Sequence, residues 1–363
     1  MSLLDTSASR ILVEADLWPV QGERFQPTGF PDLGAAVYRL PDGTEKLLVE
    51  SPQSMANRLE AVCWSDAAAD LVPELRGLPY VRIDLGRFGV TSTILEFHRL
   101  NTPYLWELDG DERRAVFQRA VYQLLGVEGR RAARRGRGQA DRAEGERVDV
   151  PGVVDERRLA ILCLRFDPNS LVHGVFLEKI AGRFRLPRAL SAFIEATDAL
   201  AAESGGVKFD RVFPEADPAR GIGSEQGFTN VPFPRTEFTA SAITAYFNLD
   251  LALVSSLGLP LEGERLVRAL SLWKIRRLLD RGLRLRSACD LECRGIRVTR
   301  PGGEALPPAG ELDLAVAQAI AACRDAGLFA DPPVTEVSTI VPERGSTTQA
   351  AEADAEGVEG EGD

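Results

Sequence analysis

Two histidines, His98 and His173, are all that 363 residues provide. With so few, a histidine-based catalytic dyad or a histidine-rich metal site has almost no material. The chain has no P-loop, no dinucleotide-binding glycine fingerprint, no Gly-x-Ser-x-Gly elbow and no cluster of metal ligands. The commonest signatures of phosphoryl, hydride and acyl transfer are therefore missing. No stretch is long and apolar enough to cross a membrane, and the N-terminus lacks the basic-then-apolar layout of a secretion signal. Five cysteines, odd in number and scattered, fit reduced thiols in a cytoplasmic protein. Cys289 and Cys293 lie four apart, yet neither histidine is spaced to complete a zinc site, so they read as structural thiols. Neither a cofactor nor a metal is expected.

An apolar fraction of 44% is ample for a sizeable core. The net charge of −11 argues at first against a polyanionic partner, but it is unevenly spread. The last residues, 343–363, carry −6 by themselves and read as a disordered acidic tail. Seven arginines cluster between Arg130 and Arg147, in a stretch (126–152) too polar to fold, which reads as a mobile loop. Local patches rather than the sum govern attraction to phosphate. We expect one elaborated domain over 1–342, with an insertion at about 65–157 holding that loop.

Hydrophobic periodicity predicts the elements. Residues 10–20 alternate as a strand, with Ile11, Val13 and Ala15 on one face. Segments 35–40 and 45–49, joined by Pro-Asp-Gly-Thr, predict a hairpin, and 80–85 and 89–97 predict two more strands. Residues 111–125 predict a helix with Val116, Ala120 and Leu124 inward. The apolar run 158–166 reads as a central strand, followed by turn chemistry at 167–170. Pro187 reads as a helix start reaching Leu200, with Leu190, Phe193 and Ile194 inward, broken by Ser-Gly-Gly at 204–206. A strand over 207–213 precedes the stretch 214–236, rich in proline and glycine with Phe228, Val231 and Phe233 as apolar positions, whose length and aromatics favour a functional loop able to wedge or stack against bases. Residues 237–250 read as a strand returning to the core. The clearest helix covers 262–281, with Leu266, Leu270, Trp273, Ile275 and Leu278 inside and Arg265, Arg268, Lys274, Arg276, Arg277 and Arg281 outside. Gly282 closes it. Two strands, 284–290 and 295–299, and a helix at 312–326 end the folded part.

The stretch after the first hairpin carries the most chemistry. Ser51 is placed to cap a helix whose first position is Pro52. Met55, Leu59 and Val62 make an apolar face, while Ser51, Ser54, Asn57 and Arg58 share a polar one. Free helical N–H groups, hydroxyls, an amide and a guanidinium suit a phosphate oxygen, although an ordinary capped helix with a solvated face has the same spacing. The bases Lys179, Arg183, Arg185 and Arg188 offer a second phosphate contact. His98 and His173 invite a catalytic reading, against which stands the structural role usual for a lone polar residue.

The run Leu-Val-Glu-Ser-Pro-Gln-Ser-Met-Ala-Asn-Arg-Leu-Glu at 48–60 resembles the signature of the CRISPR-associated backbone protein of type I-U, or type I-G, effector complexes. Gly-Leu-Pro-Tyr-Val at 77–81, Glu-Phe-His-Arg-Leu-Asn at 96–101, Asp-Pro-Asn-Ser-Leu-Val-His-Gly-Val-Phe at 167–176 and the segment 237–250 resemble later parts of the same family. The resemblance implies an α+β chain of the Cas-seven group: a ferredoxin-like RNA-recognition-motif fold of the RAMP superfamily, with large insertions and a thumb-like extension at about 211–236. It implies a non-catalytic subunit, repeated along a CRISPR RNA in a Cascade-like DNA-surveillance complex for antiviral defence. Partners would be the CRISPR RNA, target DNA, further copies of the chain, and the large and RNA-processing subunits, with no membrane. RNA contacts are expected from Ser51, Gln53, Ser54, Asn57, Arg58, His98, Arg99, Lys179, Arg183, Lys208, Arg211, Phe228, Phe233 and Arg235. The alternative is an endoribonuclease on the same fold, with His98 or His173 as general base, or Asp210 or Asp217 assisting cleavage.

Overall fold

The computed structural model describes residues 2–30, 34–127, 155–178, 180, 184–213, 215–221, 223 and 229–341, without the side chains of 231–234. Nearly all of the arginine-rich stretch and the whole acidic tail lie outside the described residues.

Seven strands form one antiparallel sheet. In chain order they are β1 (Arg10–Pro19), β2 (Val37–Arg39), β3 (Glu45–Glu50), β8 (Leu190–Thr197), β11 (Ala242–Asp250), β12 (Leu283–Arg286) and β13 (Cys289–Arg300); their spatial order is β12-β13-β1-β11-β8-β3-β2. Period-two patterning places them: Ile11, Val13, Ala15 and Leu17 of β1 face Ala245, Phe247 and Leu249 of β11 in the core, while the intervening residues stay half-exposed. Two helices fill the covered face, α1 (Pro52–Ala61) and α5 (Leu261–Arg281). The central connectivity is thus β1-α1-β8-β11-α5-β13, with those four strands ordered β13-β1-β11-β8.

The sheet curls until its two ends meet. Arg286 of β12 donates to the carbonyls of Gln26 (2.7 Å) and Val49 (3.3 Å) and pairs with Glu50, at the far end of β3. The Gln26 amide reciprocates by donating to the Ala288 carbonyl at 2.8 Å. Glu50 is buried, so a carboxylate and a guanidinium hold the seam where an edge strand would otherwise expose unpaired backbone.

Between α1 and β8 the chain leaves the sheet. This excursion holds β4 (Tyr80–Asp84), β5 (Val90–Ser92), α2 (Glu112–Leu125), α3 (Glu156–Phe166), α4 (Asn169–His173) and the hairpin β6 (Val175–Leu177) with β7 (Phe184–Leu186). After the last helix, α6 (Ala309–Asp325), β14 (Val334–Ser338) returns to pair parallel with β4. The mixed α+β content matches expectation.

Several local expectations are corrected. Residues 158–166 form helix α3, not a central strand: Asp155 accepts the amides of Arg157 (3.0 Å) and Arg158 (3.4 Å), and the leucines and alanine that follow favour a helix once capped. Leu159, Ala160, Leu162, Cys163 and Leu164 are all buried, so this run shows no narrow apolar stripe to mark it as a helix. Conversely, 190–197 is strand β8 and not a helix; Leu190, Ala192, Ile194 and Ala196 point inward, and the two alanines leave room for α1 to lie against the strand. Ser-Gly-Gly at 204–206 sits inside a strand, the ribbon described below, instead of breaking a helix. Only 90–92 of the predicted 89–97 strand is extended. In α2 the buried stripe is Phe117, Val121 and Leu125, one position on from the expected one, and Val116 is exposed. Lys274, expected outside α5, is fully buried.

Candidate nucleic-acid interface

The predicted polar start of α1 folds as the spacing required. Ser51 takes extended backbone and its Oγ accepts the Ser54 amide at 3.2 Å, a cap worth about 1 kcal/mol. Met55 and Leu59 are buried below, and Gln53 is exposed above. Arg58 points to the sheet seam: its guanidinium donates to the carbonyls of Leu285 (2.6 Å) and Arg284 (3.3 Å) and lies 3.6 Å from Glu50. The open polar surface of this helix is therefore Gln53, Ser54 and Asn57.

A two-stranded ribbon prolongs the β8–β11 pair beyond the sheet. Its strands, β9 (Leu200–Lys208) and β10 (Val231–Thr239), pair through nine residues, from Leu200 opposite Thr239 to Lys208 opposite Val231. At 3.4 Å per residue the ribbon is about 30 Å long. It brings together three of the predicted contacts, Lys208, Arg211 and Arg235; Arg235 also lies 3.5 Å from Glu237. At the tip Asp210 accepts the amides of Val212 (2.9 Å), Phe213 (3.0 Å) and Thr229 (3.2 Å), and its own amide donates to Asn230. Those amides hold the Asp210 carboxyl below its usual pKa. The turn they fix presents Phe209 and Val212 to solvent at 77% and 74% exposure. Lys179, Arg183 and Phe228 lie outside the described residues, as does the side chain of Phe233.

At the other end of β8 a polar network joins α1, α4 and α5. Arg99, just after His98, makes two 2.6 Å bonds to Glu60 at the end of α1 and one of 3.3 Å to the Gly174 carbonyl. Gly174 needs to be glycine: its φ is +79°, and a Cβ there would meet the Leu186 carbonyl at 2.8 Å. Behind it the Lys274 Nζ donates to Asn169 Oδ1 (2.5 Å) and lies 2.8 Å from His173 Nε2. We assign the ring proton to Nδ1, since an ammonium beside Nε2 makes that nitrogen the acceptor. Burial first, then Lys274, pushes the His173 pKa well below 6.5, and burial raises Asp167 to about 6. His173 Nδ1, Asn169 Nδ2 and Asp167 Oδ1 have no hydrogen-bond partner among the described residues. The network opens on a cleft of about 930 Å³ between 97–107, the β6–β7 hairpin and the start of β8. His98 lines it and is exposed; Arg99 and His173 lie at its buried side.

A family profile described as "CRISPR-associated protein GSU0053" matches residues 11–201, more than half of the chain. The chain belongs to that CRISPR-associated family. The matched region runs from β1 through α1, the excursion and β8 to the first residues of the ribbon. Among solved structures, a chain of a "CRISPR RNA-guided surveillance complex, pre-nicking" is similar at 12% identity, covering 88% of this chain and 89% of that one, with a TM-score of 0.41. Csc2 of Thermofilum pendens is similar at 11% identity over 88% of this chain and 76% of its own, with a TM-score of 0.29. No curated protein matches the sequence.

In this CRISPR-associated chain the sequence names Arg99 and His173 as candidates but does not show that they share one buried polar network with Glu60, Asn169 and Lys274. Glu60, Asn169 and Lys274 carried no signal by spacing, because their partners lie as far as 105 residues away in sequence. Lys274 sits among arginines of α5 and shared their apparent face. Only the long-range fold separates it from them.

Proposed function

We propose that this chain is a non-catalytic backbone subunit that grips CRISPR RNA and is repeated along the guide within a type I, Cascade-like surveillance complex, of subtype I-G by its sequence signature. The observation that carries this reading is the β9–β10 ribbon, an extension of the central strands that bears Lys208, Arg211 and Arg235 along its length and Phe209 at its tip. The first six residues of β10, 231–236, fall within the 211–236 stretch that the resemblance implies for a thumb, and β9 precedes it. The β1-α1-β8-β11-α5-β13 connectivity supports a ferredoxin-like, RNA-recognition-motif core. In such a complex sequence is read by base pairing between guide and target DNA, and the protein holds the guide's backbone and shape. The proposed surroundings are the cytoplasm, with further copies of the chain and the other effector subunits as neighbours.

The endoribonuclease reading has less support. The Asp210 carboxylate is occupied by three backbone amides, and His173 is buried and already bonded to Lys274. The test is incubation of the purified protein with repeat-derived RNA, with and without magnesium or manganese. Retention of full-length RNA, weakened steeply by salt and tolerant of guide sequence, is the expected result. Cleavage abolished by His98→Ala or Asp217→Ala would overturn the non-catalytic reading.

A further inference from the structure

Two of the motif segments singled out in the sequence, 96–101 and 167–176, meet at the cleft beside Arg99, and neither is used by the ribbon or the start of α1. The cleft lies at the opposite end of β8 from the ribbon, about 25 Å away along eight strand residues. Two aromatic rings line it and are open to solvent: Phe97, 70% exposed, and Phe176, 47% exposed. Both rings leave much of their surface in water, and Arg185 lies directly across the hairpin from Phe176. Arg185 and Arg188 line the same cleft, and among the described residues neither side chain has a hydrogen-bond or ion-pair partner. Arg188 is half-buried, and burial and then the nearby Arg99 lower its pKa below the arginine norm; Glu60, the acid that offsets this, is already bonded twice to Arg99. The acids that line the cleft, Glu107, Glu156 and Glu178, are all exposed, whereas the titratable groups on its buried side are Arg99, Arg188 and His173. His173 Nδ1 is a buried donor without a partner among the described residues.

We infer that this cleft is a second nucleotide-binding subsite, in which Phe97 and Phe176 stack on a base of single-stranded RNA and Arg185 and Arg188 hold its phosphate. The inference rests on the RNA-binding reading above. Aromatic faces beside guanidinium groups are the combination that binds unpaired nucleotides with little regard to sequence. A duplex, whose bases are already stacked, fits this surface less well. The site also gives the strand a contact far from the ribbon, so that one subunit touches RNA at two separated points.

The test is fluorescence-anisotropy binding of a short labelled oligoadenylate, and of the same strand annealed to oligouridylate, across a salt series. Proteins are the full chain and Phe97→Ala, Phe176→Ala, Arg185→Gln and Arg188→Gln, with Arg324→Gln on α6 as a control for general loss of charge. Loss of a stacking ring is expected to weaken single-strand binding on the order of tenfold, with less effect on the duplex. Loss of a phosphate contact is expected to lower the salt slope by about 0.7. If Arg188→Gln perturbs folding, Phe97→Ala and Arg185→Gln, both at exposed positions, decide. Wild-type binding unchanged in the cleft variants, or lowered equally by Arg324→Gln, overturns the subsite and leaves the RNA-binding reading standing. Absence of binding by the wild type overturns both.

Discussion

Glu60 and Arg99 face one another through two parallel 2.6 Å hydrogen bonds, both side chains nearly sealed from solvent, one closing α1 and the other opening the wall of the cleft. Burial pushes the Glu60 carboxyl up while the guanidinium pulls it down. Desolvating two charges costs much of what their attraction returns, but removing one partner strands the other. Arg99→Met or Glu60→Leu should each lower stability by about 3–5 kcal/mol in urea unfolding. The double variant should recover part of that loss. Costs that simply add would mean the two charges are not coupled.

His173 and Asp167 set opposing responses to acid. The unfolded chain protonates His173 near 6.5, whereas the folded chain keeps it neutral, so its stabilisation is present above that pH and is lost as pH falls. Asp167 titrates near 6 in the fold against 3.8 unfolded, so between those values the folded chain binds the extra proton and acid favours it. His173→Gln should therefore be destabilising at pH 7.5 but close the gap to wild type as pH falls below 6.5. Asp167→Asn should lose stability in acid more steeply than wild type. Each fully developed difference of one proton is worth about 1.4 kcal/mol per pH unit. Parallel stability–pH curves for all three proteins would refute the assignment.

Arg58 ties α1 to the edge strand β12. Replacing it with alanine leaves the carbonyls of Arg284 and Leu285 without their donor and should cost about 1–2 kcal/mol. Its effect on RNA should be the smaller part: a Gln53→Ala/Asn57→Ala variant is expected to weaken RNA binding at unchanged stability, and Arg58→Ala the reverse. A salt slope reduced by Arg58→Ala at wild-type stability would restore the arginine to phosphate binding.

Asp210 organises the ribbon tip. Asp210→Ala should leave the global unfolding midpoint in place while speeding limited proteolysis in the 209–230 region, since three amides lose their acceptor. Weaker RNA retention should follow, because Phe209 and Val212 are held out by that turn. A tip as resistant to protease as wild type would show that the ribbon does not depend on this carboxylate.

Much of this layout was legible in the sequence, and what was not has particular causes. The alternation of β1, the Asp-Gly hairpin, the capped start of α1 and the long α5 were readable because each carries its own period or turn chemistry. Helix α3 and strand β8 are exchanged in the sequence reading: the middle of α3 is a run of buried residues without a narrow apolar stripe, and Leu190, Phe193 and Ile194 of β8 fall at helical spacing although Leu190 and Ile194 also share a strand face. The polar start of α1 was found, yet Arg58 was assigned outward, because a guanidinium on a polar face has the same spacing whether it meets solvent or a carbonyl across the seam. The network of Glu60, Arg99, Asn169, His173 and Lys274 depends on contacts 39 to 105 residues apart, which no local pattern encodes.

The most direct measurement is the mass of the complexes that the full chain forms on single-stranded RNAs of increasing length, with the RNA then checked for integrity on a denaturing gel. A backbone subunit predicts mass rising in whole-chain steps as the RNA lengthens, with every RNA recovered intact. One chain per RNA whatever its length, or RNA recovered shortened, would contradict the account.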